Sequence, residues 1–142
     1  MATCVPVAID VEALLRRVVG EVFDADVEAT YSTNPRTPYL HLVRLSDPSG
    51  QRHAGLRASY EWFDATIFGL GVSTTLFDYD DDEEDKEAVL RALARVVRAY
   101  LRGEGRVEHR RGLIRSRPVL RIQVDNQEWE LGRRVSRVHY PD

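Results

Sequence analysis

Apolar residues fall on two helical faces and on several short alternating runs, and this pattern predicts most of the fold. Val11, Leu14, Leu15, Val18, Val19 and Val22 recur at helical spacing, while Glu12, Arg16, Arg17 and Glu21 take the other face. Asp10 stands just before them and can cap the helix. The spacing predicts a helix over about residues 10–23, with its aliphatic stripe resting on a sheet. A second stripe is formed by Val89, Leu90, Leu93, Val96, Val97, Tyr100 and Leu101. It predicts a helix over about residues 82–102. Arg91, Arg95, Arg98 and Arg102 line its opposite face, and Gly103 is a natural stop. Acids at its start and arginines near its end both suit the helix dipole.

The remaining segments read as strands. Val27 to Thr33 alternates and carries Thr and Tyr. Asn34 to Pro38 is a turn, and Tyr39 to Leu45 is a second strand with Leu40, Leu42 and Val43 near the core. Ser46 to Gly50 reads as a hairpin loop and Arg52 to Tyr60 as a third strand. Trp62 to Phe77 exceeds one ordinary strand, and Gly69 and Gly71 mark a bulge, a bend or a break into two. After the second helix, Arg106 to Arg115 and Pro118 to Val124 can pair, Asp125-Asn126 can turn, and Glu128 to Arg134 can return. The final residues add an edge strand or lie on the surface. The order helix, strands, helix, strands predicts a single α+β domain over residues 1–142, with an antiparallel sheet and two helices.

A chain of 142 residues can bury a core without disulfide or metal staples. Cys4 is the only cysteine, so no intramolecular disulfide can form, which fits a reducing cytoplasm. The first residues carry no positive region followed by an apolar run, so no signal peptide is expected. No apolar run approaches the roughly 18 residues that would span a bilayer. These features lead to the expectation of a cytoplasmic protein with no membrane partner.

Charge is unevenly placed. The net charge of -3 is mild and argues against a general nucleic-acid binder. Yet eight of the ten residues Asp78-Tyr79-Asp80-Asp81-Asp82-Glu83-Glu84-Asp85-Lys86-Glu87 are carboxylates. Nine arginines lie between Arg106 and Arg137, with four acids among them. Arginine supplies every basic residue except Lys86. So dense an acidic patch must face water or a positively charged partner, because burying unpaired charge costs several kcal/mol each. Two readings stay open: a solvated helix start favoured by the dipole, or a surface that steers and docks a basic protein. The arginine face of the second helix is equally open, between a phosphate contact and a solvated face with pairs such as Glu87 and Arg91.

The chain offers little chemistry of other kinds. Asp78, Asp80 and Asp82 fall at positions one, three and five of an EF-hand loop, but Glu83 stands where Gly belongs and Val89 where Glu belongs. His41, His53, His109 and His139 form no zinc-type spacing with one another or with Cys4. No Gly-x-Ser-x-Gly elbow is present, and Phe68-Gly69-Leu70-Gly71-Val72 lacks the lysine and spacing of a phosphate loop. No catalytic residue, metal ligand or cofactor is therefore expected. Trp62 and Trp129 suit the core or its margin, while Tyr60, Trp62, Phe63 and Tyr79 can instead form an exposed aromatic surface near the acids.

Phe77 to Glu87, the helix end Tyr100-Leu101-Arg102-Gly103 and the closing segment Val119 to Leu131 together carry a resemblance. In these features the chain resembles the small cytoplasmic immunity proteins of bacterial toxin systems. The resemblance implies a non-catalytic inhibitor that presents acids to a cationic toxin site, with Asp80, Asp81, Asp82, Glu83, Glu84 and Asp85 as contacts. With the neighbours Asp78, Tyr79 and Trp62, these form the expected partner-binding set. A second resemblance is to small acidic secretion chaperones, which typically close with a helix where this chain closes with strand-like sequence. An enzyme and a nucleic-acid-binding regulator are the remaining alternatives.

Overall fold

The computed structural model describes residues 9–111 and 116–133. The order is α1 (Val11–Val22), β1 (Glu28–Asn34), β2 (Thr37–Ser46), β3 (His53–Ala58), β4 (Trp62–Ile67), β5 (Val72–Phe77), α2 (Glu83–Leu101), β6 (Arg106–Arg111), β7 (Ser116–Val124) and β8 (Gln127–Leu131). This is the α+β class read from the sequence. Cys4, His139, Arg115, Arg134, Arg137 and the strand expected of the final residues lie outside the described residues.

The antiparallel pairing expected of the strands is present and is divided between two sheets. Five strands run in the order β1-β2-β3-β4-β5, and three in the order β6-β7-β8. Every pairing is antiparallel. Among the described residues, an isolated bridge between Ser73 and Gly132 links the two sheets. One core serves both: Leu120, Ile122 and Leu131 of the smaller sheet join the same buried cluster as α1, α2 and the larger sheet.

The helices cover one face of the larger sheet. The α1 stripe is buried as the spacing predicts, and Asp10 caps it by accepting from the Ala13 N–H at 3.0 Å. Leu14, Leu90 and Leu93 are fully buried, each contributing about 1.5–3 kcal/mol relative to an exposed position. In β2 the buried residues are Val43 and Leu45, which face Leu56 and Ala54 of β3. Leu40 and Leu42, expected near the core, are only half-buried, and alternation puts them on the other face of β2. The long run from Trp62 breaks in two at a turn, where Gly71 has φ 65° and its N–H reaches Ile67 O at 2.9 Å. The returning strand β8 ends at Leu131, short of the expected Arg134.

The arginine face of α2 ties the molecule together. Arg91 pairs with Glu87 at 2.9 Å and also with Glu21 of α1. Arg95 reaches Asp125 in the β7–β8 turn at 3.1 Å, and Arg102 reaches Asp24 at 3.4 Å. Arg98 donates to the Val22 carbonyl. The helix stops ahead of Gly103, which turns the chain with φ 91°, and the Glu104 N–H returns to Ala99 O at 3.0 Å. In the smaller sheet Arg121 is ringed by Glu108 at 2.8 Å, Glu128 at 3.2 Å and Glu130 at 3.5 Å.

Candidate functional site

The acid run forms the corner between β5 and α2, and its residues divide into three groups by where their carboxylates go. Asp78 turns inward. It is 8% exposed, its N–H donates to Glu61 O at 2.8 Å, and its Oδ1 accepts from the Asp80 N–H at 2.9 Å. Asp82 caps α2 by accepting from the Glu84 N–H at 2.9 Å. Both carboxylates are occupied by local backbone, so the expectation that Asp78 belongs to an outward-facing set is corrected. Glu83 lies 3.8 Å from Arg17 of α1, and Glu87 lies 3.4 Å from the same guanidinium. Asp80, Asp81, Glu84 and Asp85 remain exposed, with no ion pair to any described residue. Of these four, Asp81 accepts from the Tyr60 hydroxyl at 3.0 Å.

Beneath the run sits Lys86, with no exposed surface. Its Nζ donates to the Asp78 carbonyl at 2.9 Å, lies 4.0 Å from Asp78 Oδ1, and stands 4.7 Å from the centre of the Tyr60 ring. A buried ammonium is stable only when paired and hydrogen-bonded, and this one closes the loop between β5 and α2. Position 86 precedes Leu90 by four residues and Leu93 by seven, so it is in phase with the apolar stripe. That phase was the available signal for its burial, and counting Lys86 with the charged run passed it over.

Aromatic rings border the exposed acids. Phe77 and Tyr79 stack with ring centres 6.0 Å apart and planes 13° apart, and they are 56% and 69% exposed. Trp62 is half-buried, pairs with Phe77 across β4 and β5, and has the Arg57 guanidinium 6.0 Å from its ring centre. Phe63, an alternative member of an exposed aromatic surface, is fully buried in the core. Phe77 joins the surface in its place. It is the last residue of β5, where alternation puts it on the face opposite buried Val72 and half-buried Leu76.

The electrostatics of the corner follow from this crowding. The Asp85 carboxyl titrates above its ordinary range, first because Asp82 repels its charge, then through lost hydration and the charges of Asp78 and Asp80. The Tyr60 phenol is held above its usual range, first by its hydrogen bond to Asp81. With Asp78 turned to Lys86 and Asp82 turned to the helix backbone, the spacing of 78, 80 and 82 does not assemble a cation cage. Among the described residues no three of His, Cys, Asp and Glu gather to hold a metal ion. None of the described helices is long and apolar enough to cross a membrane. Comparison with family models, with curated proteins and with solved structures finds no match to this chain.

Proposed function

We propose that this chain is a non-catalytic binding protein that receives a cationic protein partner on the corner between β5 and α2. One observation carries the reading: the stacked Phe77–Tyr79 pair stands in water beside exposed carboxylates, four of which, Asp80, Asp81, Glu84 and Asp85, neither cap the helix nor form an ion pair with a described residue. Exposed aromatic rings provide affinity when a partner covers them, because they bury large areas at little entropic cost. The carboxylates provide steering and partner choice. Lys86 and Asp82 hold the loop in one conformation before the partner arrives, which lowers the ordering cost of binding. Its concrete form is an immunity-type inhibitor, in which the corner covers the cationic active site of a toxin in the cytoplasm.

The test is affinity capture from the source organism with the full chain. It is repeated with Asp80, Asp81, Glu84 and Asp85 changed to Asn or Gln, and separately with Tyr79→Ala. The partner expected is a toxin whose activity falls on stoichiometric addition of the wild-type chain. Both variants should lose that partner at moderate salt. Unchanged recovery by the four-acid variant would reject the corner as the docking surface.

A further inference from the structure

The opposite edge of the larger sheet combines an open strand with a cavity. β1 is the first strand in the order and pairs only with β2 among the described residues. Its seven residues, Glu-Ala-Thr-Tyr-Ser-Thr-Asn, contain no proline or lysine and one charge at the end. Proteins usually guard such an edge with charge, proline or a bulge. Here a bulge-like register shift at Thr33 and Asn34 interrupts it at one end, and the Arg16 guanidinium of α1 stands 4.1 Å from the Tyr31 ring, leaving Glu28 to Thr30 uninterrupted.

Beside this edge, on the face turned away from the helices, is a cavity of about 650 Å³ lined by Glu28, Thr30, Arg44, Ser46, His53 and Phe68. Its floor depends on a glycine. The Phe68 ring lies on Gly55, where a Cβ would meet Phe68 Cζ at 2.8 Å. The ring in turn carries Arg44, whose guanidinium stands 4.8 Å from its centre. Arg44 makes no ion pair with any described residue. A guanidinium held against a ring is already ordered and keeps its donors available for a carboxylate.

We propose that the β1 edge and this cavity form a docking site for an extended peptide carrying an acidic side chain. Thr30 faces Arg44 across β1 and β2, and both line the cavity. A strand added outside β1 would lie about 4.8 Å from it and about 9.6 Å from β2. An arginine and a glutamate cover that span between them. Backbone hydrogen bonds along β1 supply affinity, and the Arg44 contact supplies the choice of side chain. Glu28 lines the same cavity at the Ser46 end and repels an acid placed there, so the acid seats toward Thr30. This site is separate from the corner between β5 and α2, which lies at the other end of the strand order.

The probe is a display library of random ten-residue peptides selected on the full chain, with the winners synthesised and their binding mapped by amide chemical shifts. Selected peptides should share an acidic residue and shift the amides of residues 28–34. Arg44→Gln should weaken them about tenfold, Glu28→Gln should tighten them about twofold, and replacing the peptide's acid by its amide should abolish the Arg44 dependence. The four-acid corner variant should bind them unchanged, which separates this test from the one above. The proposal is overturned if no selected peptide shifts the β1 amides, or if Arg44→Gln binds equally well. It is also overturned if sedimentation shows the free chain to be a dimer through β1, since a second copy then occupies the edge.

Discussion

Arg57 and Asp64 face each other across β3 and β4 and are joined by two hydrogen bonds, Nε to Oδ1 at 2.9 Å and Nη2 to Oδ2 at 2.6 Å. Asp64 has no exposed surface, and the Arg57 side chain is 12% exposed. Removing one member of such a buried pair leaves the other desolvated without its counter-charge. Asp64→Ala is expected to lower unfolding free energy by about 3 kcal/mol, read from urea denaturation. A loss below about 1 kcal/mol would place this pair with ordinary surface ion pairs.

Lys86→Met keeps the apolar stem and removes the ammonium, so the Asp78 carbonyl loses its donor. The expected cost is about 2–4 kcal/mol, from an unsatisfied buried acceptor and a carboxylate left without its cation. The same variant should raise amide exchange at Asp78 to Asp82. Wild-type exchange there would contradict the role given to Lys86 in ordering the loop.

Asp85 allows a pH prediction with a definite sign. Its folded carboxyl titrates above 3.8, so the folded chain holds a proton where the unfolded chain has released it. The repulsion therefore weakens the fold at neutral pH and is relieved as pH falls through that raised value toward 3.8. Asp85→Asn should raise the urea midpoint at pH 7, and the gain should vanish once pH is below 3.8. Glu108 runs the other way. Arg121 holds its carboxyl below 4.5, so its contribution is present above 4.5 and is lost as pH falls through the lowered value.

The β7–β8 turn has both central residues in the left-handed region, Asp125 at φ 51° and Asn126 at φ 64°. Glycine adopts that conformation without a Cβ penalty. Asn126→Gly should stabilise the chain by about 0.5 kcal/mol, whereas Asn126→Val should destabilise it by about 1–2 kcal/mol. Thermal unfolding of the two variants provides the check, and equal midpoints would contradict the turn geometry.

Much of the fold was legible because it is local. Asp10, Gly103 and Asp125-Asn126 act where their chemistry predicts, and the α1 stripe is buried residue for residue. The misreadings came from longer-range choices. β2 is apolar on both faces around Leu42 and Val43, so its own alternation cannot choose between them. Pairing with Leu56 and Ala54 of β3 selects Val43 and Leu45. The smaller sheet meets the larger where Ser73 bridges Gly132, residues far apart in the chain, and no local pattern marks that join. In the acid run, composition marked a charged surface but not the sorting of its carboxylates. That sorting depends on Arg17, Tyr60 and Lys86, which approach from α1, from the β3–β4 turn and from α2 itself.

The chain contains nineteen arginines for its one lysine, and that lysine is sealed beneath the start of α2. Amine-directed reagents therefore have no accessible ε-amino group among the described residues of the native protein. Acylation at position 86 would register only molecules in which the loop has opened, so the rate of that labelling is an intrinsic gauge of how often the corner comes apart.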